Sequence, residues 1–384
     1  MTKLALLTLA LAGMPASVPA QTPTSMSAAS QQPLAVAAKV ARWQLARLDD
    51  PSQISQATPE TAEPRAWEKA VFWVGMTALA DAGAPAEIGQ AIQTMGRGNE
   101  WKPGDRWFFA DDHVIGQTYL WAAKHGAGAA AVAPMRATLD KVLAEKPRPH
   151  LSFLKAQSNY FDTACLKRWC WCDALFMAPP VWLELARQTG DSRYRSYAMS
   201  EWWATTDFLF DEEEKLYFRD SRFFDRRDDK GRKLFWSRGN GWVFGGIARS
   251  LPLLPKGSAD AVRMTALYRA MAQRIAALQK PDGYWSPSLL APEGSPPETS
   301  GTGFFVYGLA WGINAGLIDR ATYEPVVRRG WAALTRAVQP DGKLGYVQQV
   351  SDRPDQVAAS DTQYYGVGAL LLAASEVARL DRKR

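Results

Sequence analysis

The 384-residue sequence holds only three cysteines and three histidines. Cys165, Cys170 and Cys172 lie close together, with no histidine among them and no second ligand pair, so they lack the pattern of a zinc site. They read as small buried hydrophobes, with a Cys165–Cys170 disulfide open to them in an oxidising compartment. No apolar run is long enough to span a bilayer; the longest early one, Leu4–Leu11, falls far short. Charge of one sign is not concentrated either. The net charge of +6 is spread along the chain, and the densest run, Asp225–Lys233, mixes both signs as a solvated loop does. A nucleic-acid partner has no footprint here, and only a mild preference for anionic small molecules follows. A consensus repeat of fixed period is missing as well, which argues against an open solenoid.

What is present begins with a leader. Lys3, the apolar stretch Leu4–Leu11 and the small-residue site Val18-Pro19-Ala20 form a secretory signal over residues 1–20. Its removal takes Lys3 away and changes the net charge from +6 to +5. A polar Ser/Thr-rich tether, 21–32, comes next, and the remaining residues 33–384 read as one catalytic domain. The expected protein is exported, periplasmic in a Gram-negative cell.

Over that domain the 3.6-residue apolar period predicts twelve helices. They are Pro33–Leu48, Arg65–Ala82, Ala84–Met95, Asp112–Lys124, Ala131–Lys146, Asp173–Thr189, Asp191–Phe210, Gly241–Leu254, Ala259–Leu278, Glu298–Ala315, Asp319–Ala337 and Asp361–Leu380. Short breaks such as Thr189-Gly190-Asp191 and Pro255–Ser258 join them in pairs, with a glycine stop and an Asp or Ser cap. Every second helix is apolar and glycine-rich all round, the signature of burial on every side, while its partner carries the charge. Inner helices inside a ring of outer ones make an all-α, six-hairpin α/α barrel. Each inner helix also opens with a cluster of Trp, Asp, Gly and Arg, so six decorated openings gather at one end.

The chemistry is expected at that end. Asp173 follows Trp171 and Cys172 at the start of an almost wholly apolar helix, where desolvation raises a carboxyl toward proton donation near neutrality. A plain N-cap is the competing role for it. Asp111 and Asp112, at the mouth of the preceding inner helix, offer a second carboxylate, with His113 beside them. Arg238, in a Gly-rich turn, suits a carboxylate clamp, with a structural ion pair as its alternative. Trp236 and Trp242 suit sugar stacking, with core packing as the alternative. Glu298 suits a polar pocket wall or a helix cap.

Trp171-x-Asp173-x-x-x-Met177-Ala178, Trp236-x-Arg238-Gly-Asn-Gly-Trp242 and Glu298-Thr-Ser-Gly-Thr-Gly-Phe304 together resemble the unsaturated rhamnogalacturonyl hydrolases, relatives of the unsaturated glucuronyl hydrolases. The likeness runs from about Trp67 to the last helix. It implies the same barrel, no metal, no cofactor, and an oligosaccharide ligand with a terminal 4,5-unsaturated uronic acid. It also implies hydration of the C4=C5 bond in place of attack at the anomeric carbon. By motif, Asp173 is the acid that protonates C4 and Asp112, before Asp111, the second carboxylate; Trp171, Arg238 and Trp242 line the sugar pocket. The sequence departs from the pattern at Arg219, where family members carry histidine. The alternatives are a hydrolase of saturated uronic acids, which uses the same two carboxylates, and a non-catalytic carbohydrate-binding barrel. A sugar isomerase or epimerase is disfavoured, since His113 alone is a poor substitute for paired histidines.

Overall fold

The computed structural model describes residues 28–50, 52, 54, 59–145, 149–153, 164–291 and 296–382; the expected leader and residues 21–27 of the expected tether lie outside the described residues. In chain order the helices are α1 (Ala28–Leu45), the single turn α2 (Pro59–Ala62), α3 (Trp67–Asp81), α4 (Ala86–Gly98), α5 (Ala110–His113), α6 (Ile115–Ala122) and α7 (Ala133–Ala144). There follow α8 (Ala174–Met177), α9 (Pro179–Thr189), α10 (Ser192–Leu209), α11 (Ser237–Ser250), α12 (Ala259–Ala277), α13 (Thr299–Asn314), α14 (Arg320–Ala337) and α15 (Tyr364–Arg382). The end of the expected tether, from Ala28 on, is thus helical.

The inner ring consists of α3, α5 with α6, α8 with α9, α11, α13 and α15; the outer ring consists of α1, α4, α7, α10, α12 and α14. Around the inner ring α3 packs on α6, α6 on α9, α8 on α11, α11 on α13 and α13 on α15, and α15 returns to α3 to close the circle. This is the six-hairpin α/α barrel that the periodicity predicts. Burial separates the rings as the composition requires: α13 is buried at every position from Thr299 to Ile313, whereas α4 buries only Ile88, Ile92 and Gly96.

Local chemistry sets the boundaries. Asp191, Ser258 and Asp319 cap α10, α12 and α14 by accepting from the backbone N–H of Arg193, Ala261 and Thr322. Gly190 ends α9 in the left-handed conformation at φ 74°. Two inner segments expected as continuous helices are broken. Pro179 opens α9 and cannot extend α8, because it has no amide hydrogen to donate. A small hairpin, β1 (Phe210–Asp211) against β2 (Leu216–Tyr217), pairs Phe210 with Tyr217 and delivers Arg219 to the barrel mouth.

The ring is tight because glycines face backbone. A Cβ on Gly75 of α3 would meet the carbonyl oxygen of Gly368 on α15 at 2.6 Å, and one on Gly368 would press on the carbonyl of Val71. Below the mouth the axis is filled by aromatic rings: Trp242 lies 5.1 Å from Phe176 and 4.4 Å from Phe304, centroid to centroid. Since a backbone carbonyl cannot step aside, Gly368→Ala should lower unfolding free energy by about 1–3 kcal/mol. Gly89→Ala, with open space around its Cβ, should raise it by roughly 0.5–1 kcal/mol. Urea unfolding measures both; equal midpoints for Gly368→Ala and wild type would show that the α3–α15 contact has slack.

Candidate active site

The N-terminal ends of the inner helices open onto a cavity of about 200 Å³, walled by Trp67, Phe109, Asp111, Asp173, Arg219, Trp236 and Arg238 among others. Asp173 occupies the residue before α8, yet its side chain makes no capping hydrogen bond. Its carboxylate instead accepts from the Cys172 thiol (3.4 Å to Oδ2) and faces Arg219 Nε at 3.5 Å. Burial is the largest influence on it and raises its pKa, while Arg219, Cys172 and Arg238 pull the other way.

The second carboxylate in this cavity is Asp111, not Asp112. Neighbouring residues on a helix point about 100° apart, so only one of the pair can face the axis. Asp112 turns back onto its own loop, where Oδ2 accepts from the Arg106 backbone N–H (2.8 Å) and Oδ1 from Arg106 Nη2 (2.6 Å). Asp111 has one oxygen, Oδ1, shut from solvent and without a hydrogen-bond partner. Burial first, then the charge of Asp173, pushes its pKa up to about 8, against the opposing pull of Arg106 and Arg219. The two carboxyls thus lie close enough for the charge of one to be felt by the other.

Arg238 reaches the cavity from the first turn of α11, which starts at Ser237, four residues before the expected Gly241. Its Nη1 and Nη2 donate to the backbone carbonyls of Gln348 (2.7 Å) and Gln349 (2.8 Å). The guanidinium carbon lies 4.3 Å from the Trp236 ring and 4.6 Å from the Tyr365 ring. Its hydrogen-bond partners are neutral, its Nε has none, and no carboxylate lies within ion-pair distance of it among the described residues, although its charge is felt by Asp173. Arg219 is placed differently. It donates to Asp220 (2.8 Å), a fully buried carboxylate that also holds Arg222 (2.8 Å), and Arg222 reaches on to Asp352 on the cavity rim (2.8 Å).

Several expected contacts belong to the support and not to the wall. Trp171 stacks beneath Phe109, 5.0 Å between centroids, and it is Phe109 that faces the cavity. Trp242 lies in the aromatic filling below, while Trp236 stands on the wall with its Nε1 donating to Gln348 (3.0 Å). His113 is buried and held neutral by desolvation, its Nε2 on the Trp107 carbonyl (2.9 Å). Glu298 caps α13 by accepting from the N–H groups of Ser300 and Gly301 and is no pocket wall. Cys165 and Cys170 form a disulfide, and Cys172 is a buried free thiol. Among the described residues, no three His, Cys, Asp or Glu side chains gather as a metal would require. Sequence reasoning missed Trp67, Arg106, Phe109, Met177, Tyr365 and the loop residues Val350–Asp352. Trp67 and Tyr365 sit inside two of the decorated openings; the loop carries no periodic signal.

Asp111 yields a signed pH effect. A carboxyl with a raised folded pKa gives stability that is fully present below about pH 4 and drains away as pH climbs toward about 8. Asn at that position stays neutral. Asp111→Asn should therefore melt higher than wild type at pH 9 and close to it at pH 4, the difference reaching at most about 6 kcal/mol, since the rise from 3.8 to about 8 spans about four pKa units at about 1.4 kcal/mol each. A difference that is flat with pH would contradict the burial of that carboxyl.

The chain is similar to known proteins over most of its length. Residues 36–381 match the family described as Glycosyl Hydrolase Family 88. The chain is 40% identical over 344 residues to the unsaturated 3S-rhamnoglycuronyl hydrolase of Alteromonas sp. (strain LOR), covering 88% of this chain and 83% of that protein. It is 35% identical over 327 residues to an enzyme of the same name from Formosa agariphila, covering 83% and 85%. The solved structure of a glycosyl hydrolase family 88 protein from Bacteroides vulgatus superposes with a TM-score of 0.77 at 29% identity, covering 91% of this chain and 99% of that one.

Proposed function

The chain belongs to Glycosyl Hydrolase Family 88, and from that premise we propose how its cavity works. The protein is a glycoside hydrolase that releases an unsaturated uronic acid from the end of an oligosaccharide. The reading of its residues rests above all on one observation: Asp173 is buried, uncapped and held beside Arg219 in a cavity it shares with Asp111 and Arg238.

In that reading Arg238 receives the substrate carboxylate, and the Trp236 and Phe109 rings flank the sugar ring. The uronate's C4=C5 bond is a vinyl ether through the ring oxygen. Asp173 in its acid form gives a proton to C4, and the positive charge forms at C5, shared with the ring oxygen. Water adds at C5 and Asp173 takes back a proton from it. The hemiketal opens by breaking the bond between C5 and the ring oxygen. This leaves a ketone at C5 and a hemiacetal at C1, which expels the aglycone alcohol. Arg219 and the Cys172 thiol stabilise the Asp173 carboxylate formed in the first step. Asp111, protonated near neutrality, adds no repelling charge and can donate to a sugar hydroxyl. The roles given by motif to Asp112, Trp171 and Trp242 thus pass to Asp111, Phe109 and Trp236. Rhamnose is the aglycone we propose, after the rhamnoglycuronyl substrate in the names of the two relatives.

Export is part of the same proposal. The leader pattern at residues 1–20 supports it, and so does the Cys165–Cys170 disulfide, which suits an oxidising compartment. Among the described residues no helix is long and apolar enough to cross a membrane.

One experiment tests residue and reaction together. Asp173→Asn should lower kcat by on the order of 10²–10⁴-fold, the usual share of general acid–base catalysis, with substrate affinity and melting temperature near wild type. Wild-type turnover in heavy water should place one deuteron on C4 of the released product. A product with every ring carbon unlabelled would mean anomeric hydrolysis of a saturated uronic acid instead.

A further inference from the structure

The barrel has a second opening, at the C-terminal ends of the inner helices, and it contains a cavity of about 260 Å³. Helix α11 links the two ends. Arg238 stands at its first turn and Arg249 at its last, eleven residues and therefore about 16 Å apart along the axis. Trp242, Phe176 and Phe304 fill the space between, so the lower cavity is no extension of the upper one.

The carboxylates around this lower cavity are all engaged. Glu184 is held by Arg187 (2.7 Å), Gln188 (2.7 Å) and Lys124 (3.3 Å). Glu376 is held by Arg379 (2.8 Å) and Asn314 (2.7 Å), and Asp81 accepts from Trp121 Nε1 (2.9 Å). Arg249 is the exception among the cations. Its Nε donates to Gln117 Oε1 (2.5 Å), and it hydrogen-bonds the Tyr307 hydroxyl, both neutral groups. No carboxylate pairs with it among the described residues. Gln117 is in turn anchored by donating to the Phe176 carbonyl (2.8 Å), which fixes the guanidinium in place. Helix C-termini favour cations nearby, and Lys124, Arg187 and Arg379 already meet that demand; the charge of Arg249 is left over.

The remaining wall is suited to a sugar. Trp121 and Trp311 present indole rings, and Thr77 and Ser375 present hydroxyls whose hydrogens go to backbone carbonyls while their oxygens can still accept. We propose that this lower cavity is a second binding site, for a small sugar carboxylate, with Arg249 on the carboxylate and Trp121 and Trp311 on the ring. The site is separate from the catalytic one and stands or falls independently of it.

Calorimetric titration of the enzyme with sodium D-glucuronate tests this, using wild type, Arg249→Met, Arg249→Lys and Arg238→Met. The wild type and Arg238→Met should show a binding event that Arg249→Met lacks. Arg249→Lys keeps the charge and most of the packing but loses the two-pronged donor, so its affinity at that site should fall about tenfold or more. Whether Arg238→Met loses a further event reports on the catalytic cavity alone. The proposal is overturned if wild type shows no event tighter than about 10 mM, or if both Arg249 variants bind as wild type does. Inorganic phosphate binding as tightly as glucuronate, and lost with Arg249, would also overturn it, since the aromatic walls would then contribute nothing.

Discussion

The α3–α15 contact closes the ring, and everything at the mouth depends on it. The segments that meet there, residues 67–81 and 364–382, come from opposite ends of the described chain. Gly75 and Gly368 let the two backbones approach to a distance no Cβ would allow. Trp67, at the start of α3, stacks on Tyr365, at the start of α15, with centroids 5.2 Å apart and planes within 10°. Tyr365 in turn lies under the Arg238 guanidinium, and its hydroxyl donates to the Gln348 carbonyl that Arg238 also uses (2.6 Å). The setting of Arg238 is thus assembled by a pairing of residues nearly 300 positions apart, and α11, which carries it, meets both of them through Trp242, whose ring lies 6.2 Å from Trp67 and 6.3 Å from Tyr365. Folding by such long-range closure is slow for entropic reasons.

The electrostatics of the mouth follow from how each charge is compensated. Asp112 is matched with Arg106, and Asp220 with Arg219 and Arg222, and these pairs serve as framework. Asp111 and Arg238 are left without a matching charge of their own, and Asp173 shares its arginine with Asp220. A protein interior tolerates unmatched ionisable groups poorly, and here they lie within one cavity. In the reading proposed above these same groups are the ones a uronate complements: a carboxylate for the unpaired guanidinium, a vinyl ether for the protonated acid.

The helical framework was legible because burial dictates composition. Gly245 and Gly246 on α11 and Gly303 and Gly308 on α13 mark surfaces pressed against other helices, and a chain reader sees them as apolar, charge-free runs. Asp173, Trp236 and Arg238 were legible as members of the mouth because they sit at helix starts in tryptophan-bearing motifs, whereas Arg219, just after the β1–β2 hairpin, was marked only by the resemblance, at a position where family members carry histidine. Which neighbour points inward was not. Asp111 and Asp112 differ by one step of helical rotation, and that angle is set by the Arg106 loop, whose shape no local pattern encodes. Trp171 and Trp242 looked like sugar platforms because a tryptophan beside a polar cluster looks alike in a sequence whether it is the wall or the layer behind it. Glu298 and His113 failed for a related reason: backbone groups are among their partners, the N–H groups of Ser300 and Gly301 for Glu298 and the Trp107 carbonyl for His113, and these leave no trace in side-chain identity.

The aromatic filling formed by Trp242, Phe176 and Phe304 makes the upper cavity a blind one. A polymer cannot thread through it, so only a chain terminus can enter. The hydration proposed above also consumes the double bond that made that terminus reactive, and the sugar next in line has none. Each oligosaccharide can therefore be trimmed once and no further until another strand scission creates a new unsaturated end. The quantity of monosaccharide formed by this enzyme is in effect a tally of the eliminative cuts made upstream, and its flux is set by the lyases that feed it.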